Sequence, residues 1–161
     1  MNSVFAEGFG PVFDANSRVL VLGSFPSVKS RAVGFYYGNP QNRFWRTVSG
    51  YFGEEVPLSV ADKREFLLRR GIALWDVVAS CEIVGSSDAA IKNETLADIP
   101  SVLKAGKISV ILCNGSKSYS LFAENCPRLL PIAVKLPSTS PANPRFSAEV
   151  WKNEFDKIFK V

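Results

Sequence analysis

The chain has 161 residues, 47% hydrophobic and 21% charged, which suits one soluble domain with a sizeable core and excludes disorder, collagen and arrays of small modules. Histidine is absent, and the three cysteines, Cys81, Cys113 and Cys126, form no CxxC pair; serine-histidine-aspartate and cysteine-histidine nucleophiles, histidine bases and the usual zinc and iron–sulfur ligand sets are therefore excluded. Net charge is +4, a weak bias toward polyanions that gains meaning only from its distribution.

In chain order, an apolar, β-branched run at residues 18–23 predicts a buried strand, followed by the turn Gly23-Ser24-Phe25-Pro26-Ser27. Residues 34–45 then crowd aromatic rings beside amides and an arginine. Asn39-Pro40 offers an N-cap and first-turn proline for a helix carrying Phe44, Trp45, Val48 and Phe52. Ser59 with Asp62 resembles a capping box ahead of Phe66 and Leu67. A second strand is predicted at 72–78, a helix at 96–105, a third strand at 108–113, a helix at 116–124 and a fourth strand at 132–136. The last helix, 148–159, places Val150, Trp151, Phe155, Ile158 and Phe159 at helical spacing.

Strands alternating with helices imply an α/β fold: one domain spanning 1–161, with a central four-stranded, mostly parallel sheet flanked by helices on both faces. Ligands of such sheets bind outside the carboxyl ends of the strands. Three loops fall there: 23–27, Asn114-Gly115-Ser116 and 137–143. Two stretches far apart, 15–53 and 125–148, hold Lys and Arg but no acid; together they carry +8, leaving −4 for the rest. They are expected to meet on one phosphate-facing surface. No apolar run of about 18 residues occurs and the start lacks a signal-peptide pattern, so a cytoplasmic protein without a membrane partner is expected, nucleoid-associated if prokaryotic.

Neither a GxGxxG fingerprint nor a GxxxxGK phosphate loop is present, which removes the usual support for NAD and ATP enzymes. Aromatic faces stack on bases, amides read base edges and arginine binds phosphate, so the 34–45 mixture suits a nucleobase pocket. Phe44 and Trp45 read better as helix core, Tyr36 and Tyr37 as pocket residues.

The Gly-x-x-Pro loop after the first strand, the Asn-Pro-x-Asn-Arg-Phe-Trp segment from Asn39 to Trp45, and the Pro-Ser-x-Ser loop from Pro137 to Ser140 together resemble the uracil-DNA glycosylase superfamily. The nearest branches are the mismatch-specific and hypoxanthine-DNA glycosylases, and the similarity covers roughly residues 18–151. Where uracil and mismatch enzymes carry Asp or Asn in the first motif, Phe25 stands here; where many members begin the last motif with His, Leu136 does. That pattern resembles the hypoxanthine branch, whose catalytic amide matches Asn39.

The resemblance implies an enzyme that flips a deaminated base, hypoxanthine being favoured, and hydrolyses its N-glycosidic bond to leave an abasic site. Phe25, Tyr36 or Tyr37 would stack on the base, Asn114 would hydrogen-bond its polar edge, and Asn39 would position water or stabilise the leaving base. Ser24, Ser27, Asn42, Arg43, Ser138, Thr139, Ser140, Asn143 and Arg145 would contact DNA. No metal and no cofactor are expected, and the enzyme would act as a monomer on damaged DNA. No lysine lies in the Asn39 segment or the Asn114 loop, so a monofunctional enzyme is expected. Uracil or G·T mismatch glycosylases, a non-catalytic module binding damaged or single-stranded DNA, and a free-nucleoside hydrolase or transferase are the alternatives. Asn39 as a helix cap, Asn114 as a turn residue and Ser138, Thr139 and Ser140 as turn decoration are the structural rivals.

Overall fold

The computed structural model describes residues 4–83 and 91–160. Strands β2 (Val19–Gly23), β3 (Ile72–Asp76), β6 (Val110–Asn114) and β7 (Ala133–Leu136) form one sheet in the order β3-β2-β6-β7, parallel at every pairing. The central strand shows why. Val19 and Val21 belong to one buried cluster, Leu20 and Leu22 to another, and all are fully buried. Alternate side chains therefore serve both faces, each contributing about 1.5–3 kcal/mol by burial.

Helices α2 (Phe44–Tyr51), α3 (Val60–Arg69) and α6 (Ala148–Phe159) cover the first face through Phe44, Val48, Phe66, Leu67, Trp151 and Phe155. Helices α4 (Ile99–Ala105) and α5 (Ser116–Asn125) cover the second through Ile99, Val102 and Phe122. Phe44 and Trp45 are core residues, as their spacing implied. The Ser59 hydroxyl caps α3 by accepting from the Asp62 amide at 3.0 Å, and α6 runs over the predicted residues.

Three expectations need correction. Asn39-Pro40 does not open α2, which begins at Phe44 after Arg43; residues 39–42 form a turn, with the Asn42 amide donating to the Asn39 carbonyl. Leu96 ends a strand rather than starting a helix, because Asp98 caps α4 through Ser101. The apolar run 72–78 is not one strand: at Val77 the chain leaves the parallel sheet, and β4 (Val78–Ile83) pairs antiparallel with β1 (Val4–Glu7) and β5 (Ile91–Leu96). This second, three-stranded sheet, the short helix α1 (Val28–Val33) and a 3₁₀ turn at Pro127–Ile132 had no strong periodic signal.

Candidate active site

The parallel register ends on the same level: Gly23 opposite Asp76, and Asn114 opposite Leu136. Loops 23–27, 114–116 and 137–143 therefore gather at one edge of the sheet, as doubly wound sheets require. Two glycines let them close up. A Cβ on Gly115, at φ 99°, would sit 2.9 Å from Ser138 Cβ, and one on Gly23 would collide with the Asp76 carboxylate and lie 3.2 Å from the Tyr37 hydroxyl.

Asn114 is more than a turn residue. Its Nδ2 donates to Thr139 Oγ1 and its Oδ1 accepts the Thr139 amide, both at 3.0 Å, and both residues are buried. This two-point contact fixes the β7 loop over the end of β6. Arg43 fixes its other side. The Arg43 amide donates to the Thr139 carbonyl at 3.0 Å, its guanidinium donates to the Ser140 and Asn143 carbonyls at 3.1 and 3.0 Å, and it lies 4.8 Å over the Phe146 ring. Asn143 donates from Nδ2 to the Ser138 carbonyl and accepts the Arg145 amide. Arg43, Thr139 and Asn143 thus build the loop, and these polar atoms are engaged inside it. Ser138 and Ser140 accept the amides of Ser140 and Ala142, which leaves each O–H for an outside acceptor such as a phosphate oxygen. Arg145 is exposed.

Other predicted contacts serve the scaffold. Ser27 caps α1 by accepting the Ser30 amide at 3.1 Å, and Asn42 accepts the Phe44 amide at the start of α2 at 2.9 Å. Ser24 is half-buried, and its carbonyl accepts the Val78 amide at 3.0 Å.

The aromatic expectations separate. Tyr36 is 2% exposed, its hydroxyl donates to the Phe9 and Gly10 carbonyls, and its ring meets Phe9 and Phe35 edge-on; it is a core residue and offers no face to a ligand. Phe25 turns into a small cluster with Val78, Cys81 and Ile83, with Arg31 5.8 Å from its ring centre. Tyr37 alone stands at the strand ends. Its ring stacks on Phe44 at 4.4 Å. Its backbone is left-handed at φ 53°, and its hydroxyl is buried with no acceptor for its O–H among the described residues. Each feature costs on the order of 1–3 kcal/mol, and such strain concentrates at functional positions. Burial first, then the Asp76 carboxylate, drive the Tyr37 hydroxyl far above the ordinary tyrosine range, outweighing the opposing influence of the Asn114 amide.

Asn39, half-buried, uses its Oδ1 to accept the Gln41 amide at 3.0 Å. Its Nδ2 donates to nothing among the described residues, so the turn holds the amide while its donor stays open. Asp76, 4% exposed at the end of β3, is the polar residue the sequence reading passed over. Its signal was a carboxylate closing an otherwise apolar strand, opposite a glycine.

A cavity of about 650 Å³ runs beside the β7 loop, lined by Ser116, Lys135, Ser138, Ser140, Asn143 and Arg145 among others. A larger one, about 970 Å³, lies between α2 and α6; Arg18 and Arg46 line it, while Glu54 holds Arg69 and Arg70 at its edge. The acid-free stretches thus meet only in part. Arg43 joins them at the β7 loop, whereas Arg18 and Arg46 face elsewhere. We place the site at the strand ends, where the Tyr37 hydroxyl lies over Gly23 and the segment that follows Asn39 is tied to the β7 loop through Arg43; in the larger cavity the Phe159 and Phe52 rings already carry Arg18 and Arg70.

Comparison with known proteins fits this geometry. The profile of the uracil DNA glycosylase superfamily matches residues 11–160. Two proteins named hypoxanthine DNA glycosylase are similar over nearly their whole length: one from Methanosarcina acetivorans, 35% identical over 96% of this chain and 98% of its own, and one from Methanosarcina barkeri, 34% identical over the same shares. A solution NMR structure from Methanosarcina acetivorans, described there as a candidate uracil DNA glycosylase, superposes with a TM-score of 0.81 at 34% identity, over 96% of this chain and 99% of that one. The chain belongs to the uracil DNA glycosylase superfamily.

Proposed function

We propose that this protein is a monofunctional DNA glycosylase that takes a deaminated base, hypoxanthine before others, out of the duplex and hydrolyses its N-glycosidic bond. The observation that carries the reading is the open Nδ2 donor of Asn39, held by its own turn between Tyr37, whose hydroxyl reaches the end of β2, and Arg43, which is bonded to the β7 loop. The two similar proteins named hypoxanthine DNA glycosylase support the choice of base.

Breaking the bond leaves positive charge on the sugar and negative charge on the departing base. Extrusion costs a few kcal/mol, least for damaged or mispaired bases. Asn39 then orients the attacking water or stabilises the base; one preorganised donor aimed at developing charge is worth roughly 3–4 kcal/mol. Asn114 holds the β7 loop through Thr139. Ser138, Ser140 and Arg145 grip the flanking phosphates.

The test is a panel of labelled duplexes, each with one hypoxanthine, uracil, xanthine or G·T mismatch, incubated with enzyme and split into untreated and alkali-treated halves. Alkali-dependent cleavage at hypoxanthine is expected, faster than at the other lesions. Cleavage without alkali would replace the monofunctional reading with a lyase, and an uncut panel would leave a binding module.

A further inference from the structure

We infer that the Tyr37 hydroxyl is a catalytic hydrogen-bond donor to the carbonyl oxygen of the departing base. The inference deepens the base-release reading and rests on it.

Breaking the C1′–N bond sends its electron pair onto the base, where a 6-oxopurine delocalises it onto the carbonyl oxygen. A neutral donor aimed at that oxygen is stronger in the transition state than in the ground state, which is what accelerates a reaction. In a chain without histidine the supply of such donors at the strand ends is short. The Asn114 side chain holds Thr139 through its oxygen and one N–H, and its amide acts on the Tyr37 oxygen as a donor, so it offers the base little. The Tyr36 hydroxyl is committed to the Phe9 and Gly10 carbonyls. Tyr37 is different: its Oη lies over Gly23, buried, and its O–H has no acceptor among the described residues.

A buried O–H left without an acceptor calls for a reason, and the local structure keeps it that way. Phe44 stacks on the ring at 4.4 Å. The left-handed Tyr37 backbone leads into Gly38, where a Cβ would meet Val33 at 2.9 Å, and the Gly38 amide is tied to Ser30 Oγ at 3.0 Å. The ring is thus pinned by its backbone and its stacking face rather than by its hydroxyl. Burial and the Asp76 carboxylate keep the proton on Tyr37 throughout the working pH range. The hydroxyl donates without transferring its proton. Water adds to C1′ and loses a proton to solvent, and the released base takes one from solvent.

The test is Tyr37→Phe, which removes one oxygen and keeps the stacking ring. Single-turnover release of hypoxanthine at saturating enzyme is measured beside duplex affinity and Tm. The expected result is a rate about 100-fold lower or more, with affinity unchanged and Tm within a few degrees of wild type, because the hydroxyl donates to no group within the protein. Slowing under tenfold would overturn the inference; so would a larger fall in Tm, which would make the hydroxyl structural. Wild type in the same assay keeps the two readings apart. A silent wild type refutes base release itself, whereas an active wild type beside an equally active Tyr37→Phe refutes only the role of the hydroxyl.

Discussion

Asn39 divides its two ends between structure and chemistry, and substitution can separate them. Asn39→Asp keeps an oxygen to accept the Gln41 amide and loses only the Nδ2 donor. We predict single-turnover base release about 100-fold slower or more, with Tm within a few degrees of wild type; a normal rate would reduce Asn39 to a turn residue. The two arginines at the β7 loop, Arg43 bracing it from the start of α2 and Arg145 following it in the chain, differ in the same spirit. Arg43 is bonded to two loop carbonyls through its guanidinium, so Arg43→Ala should cost about 1–3 kcal/mol of stability in denaturant melts. Arg145 is exposed, so Arg145→Ala should leave stability alone, weaken binding to all duplexes alike and lower the slope of log affinity against log salt by roughly one. Unchanged affinity and slope would make the loop purely structural. The sequence showed which residue types surround the site but not which atoms were already engaged. Tyr36 and Tyr37 look alike in sequence, yet the Tyr36 hydroxyl is bonded to the Phe9 and Gly10 carbonyls while that of Tyr37, at positive φ, lies at the end of β2.

Among the elements, the close approach at the end of β2 makes a sharp prediction. Gly23→Ala would drive a methyl group into the Asp76 carboxylate and the Tyr37 hydroxyl. It should cost about 1–3 kcal/mol and slow base release in the fraction that remains folded. Ser59→Ala, by contrast, removes the N-cap of α3 and should cost about 1 kcal/mol in melting experiments without changing the single-turnover rate. Strands β2, β3 and β6 were legible because they are buried on both faces and read as near-continuous apolar runs; β7, AVKL, is only partly buried and was marked by the apolar residues around it. The antiparallel strands β1 and β5 were not, since VFAE is too short to show a period and IKNETL is mostly polar. The break at Val77 escaped notice because residues 72–78 stay apolar except at Asp76 while the chain changes sheets. Asn39-Pro40 misled for a local reason. A turn built on Asn39 and the second Asx contact from Asn42 delay the helix to Phe44.

For the whole molecule, charge serves two purposes that the sequence merged into one. Part of the positive excess lies at the strand ends, and part is held in ion pairs on the α2–α3 side. Hydrogen bonds from Arg69 and then Arg70 hold the Glu54 carboxyl down at about 2, against an ordinary value of 4.5. A carboxyl with a lowered folded value stabilises the fold above its unfolded value and loses that contribution as pH falls toward the folded one. The Tm advantage of wild type over Glu54→Gln should therefore be full above about pH 4.5 and vanish toward about pH 2; an advantage that persisted to the acid end would contradict the pairing. Base release near neutral pH should be the same in both proteins. The central claim is hydrolytic release of a deaminated base from DNA, and its most direct measurement is the free base itself. A duplex with one deoxyinosine is treated with excess enzyme, the liberated base is quantified chromatographically, and strand integrity is read from the same sample. The account predicts one hypoxanthine per lesion with both strands intact until alkali is added. Hypoxanthine retained in the DNA, or its release with simultaneous strand scission, would contradict it.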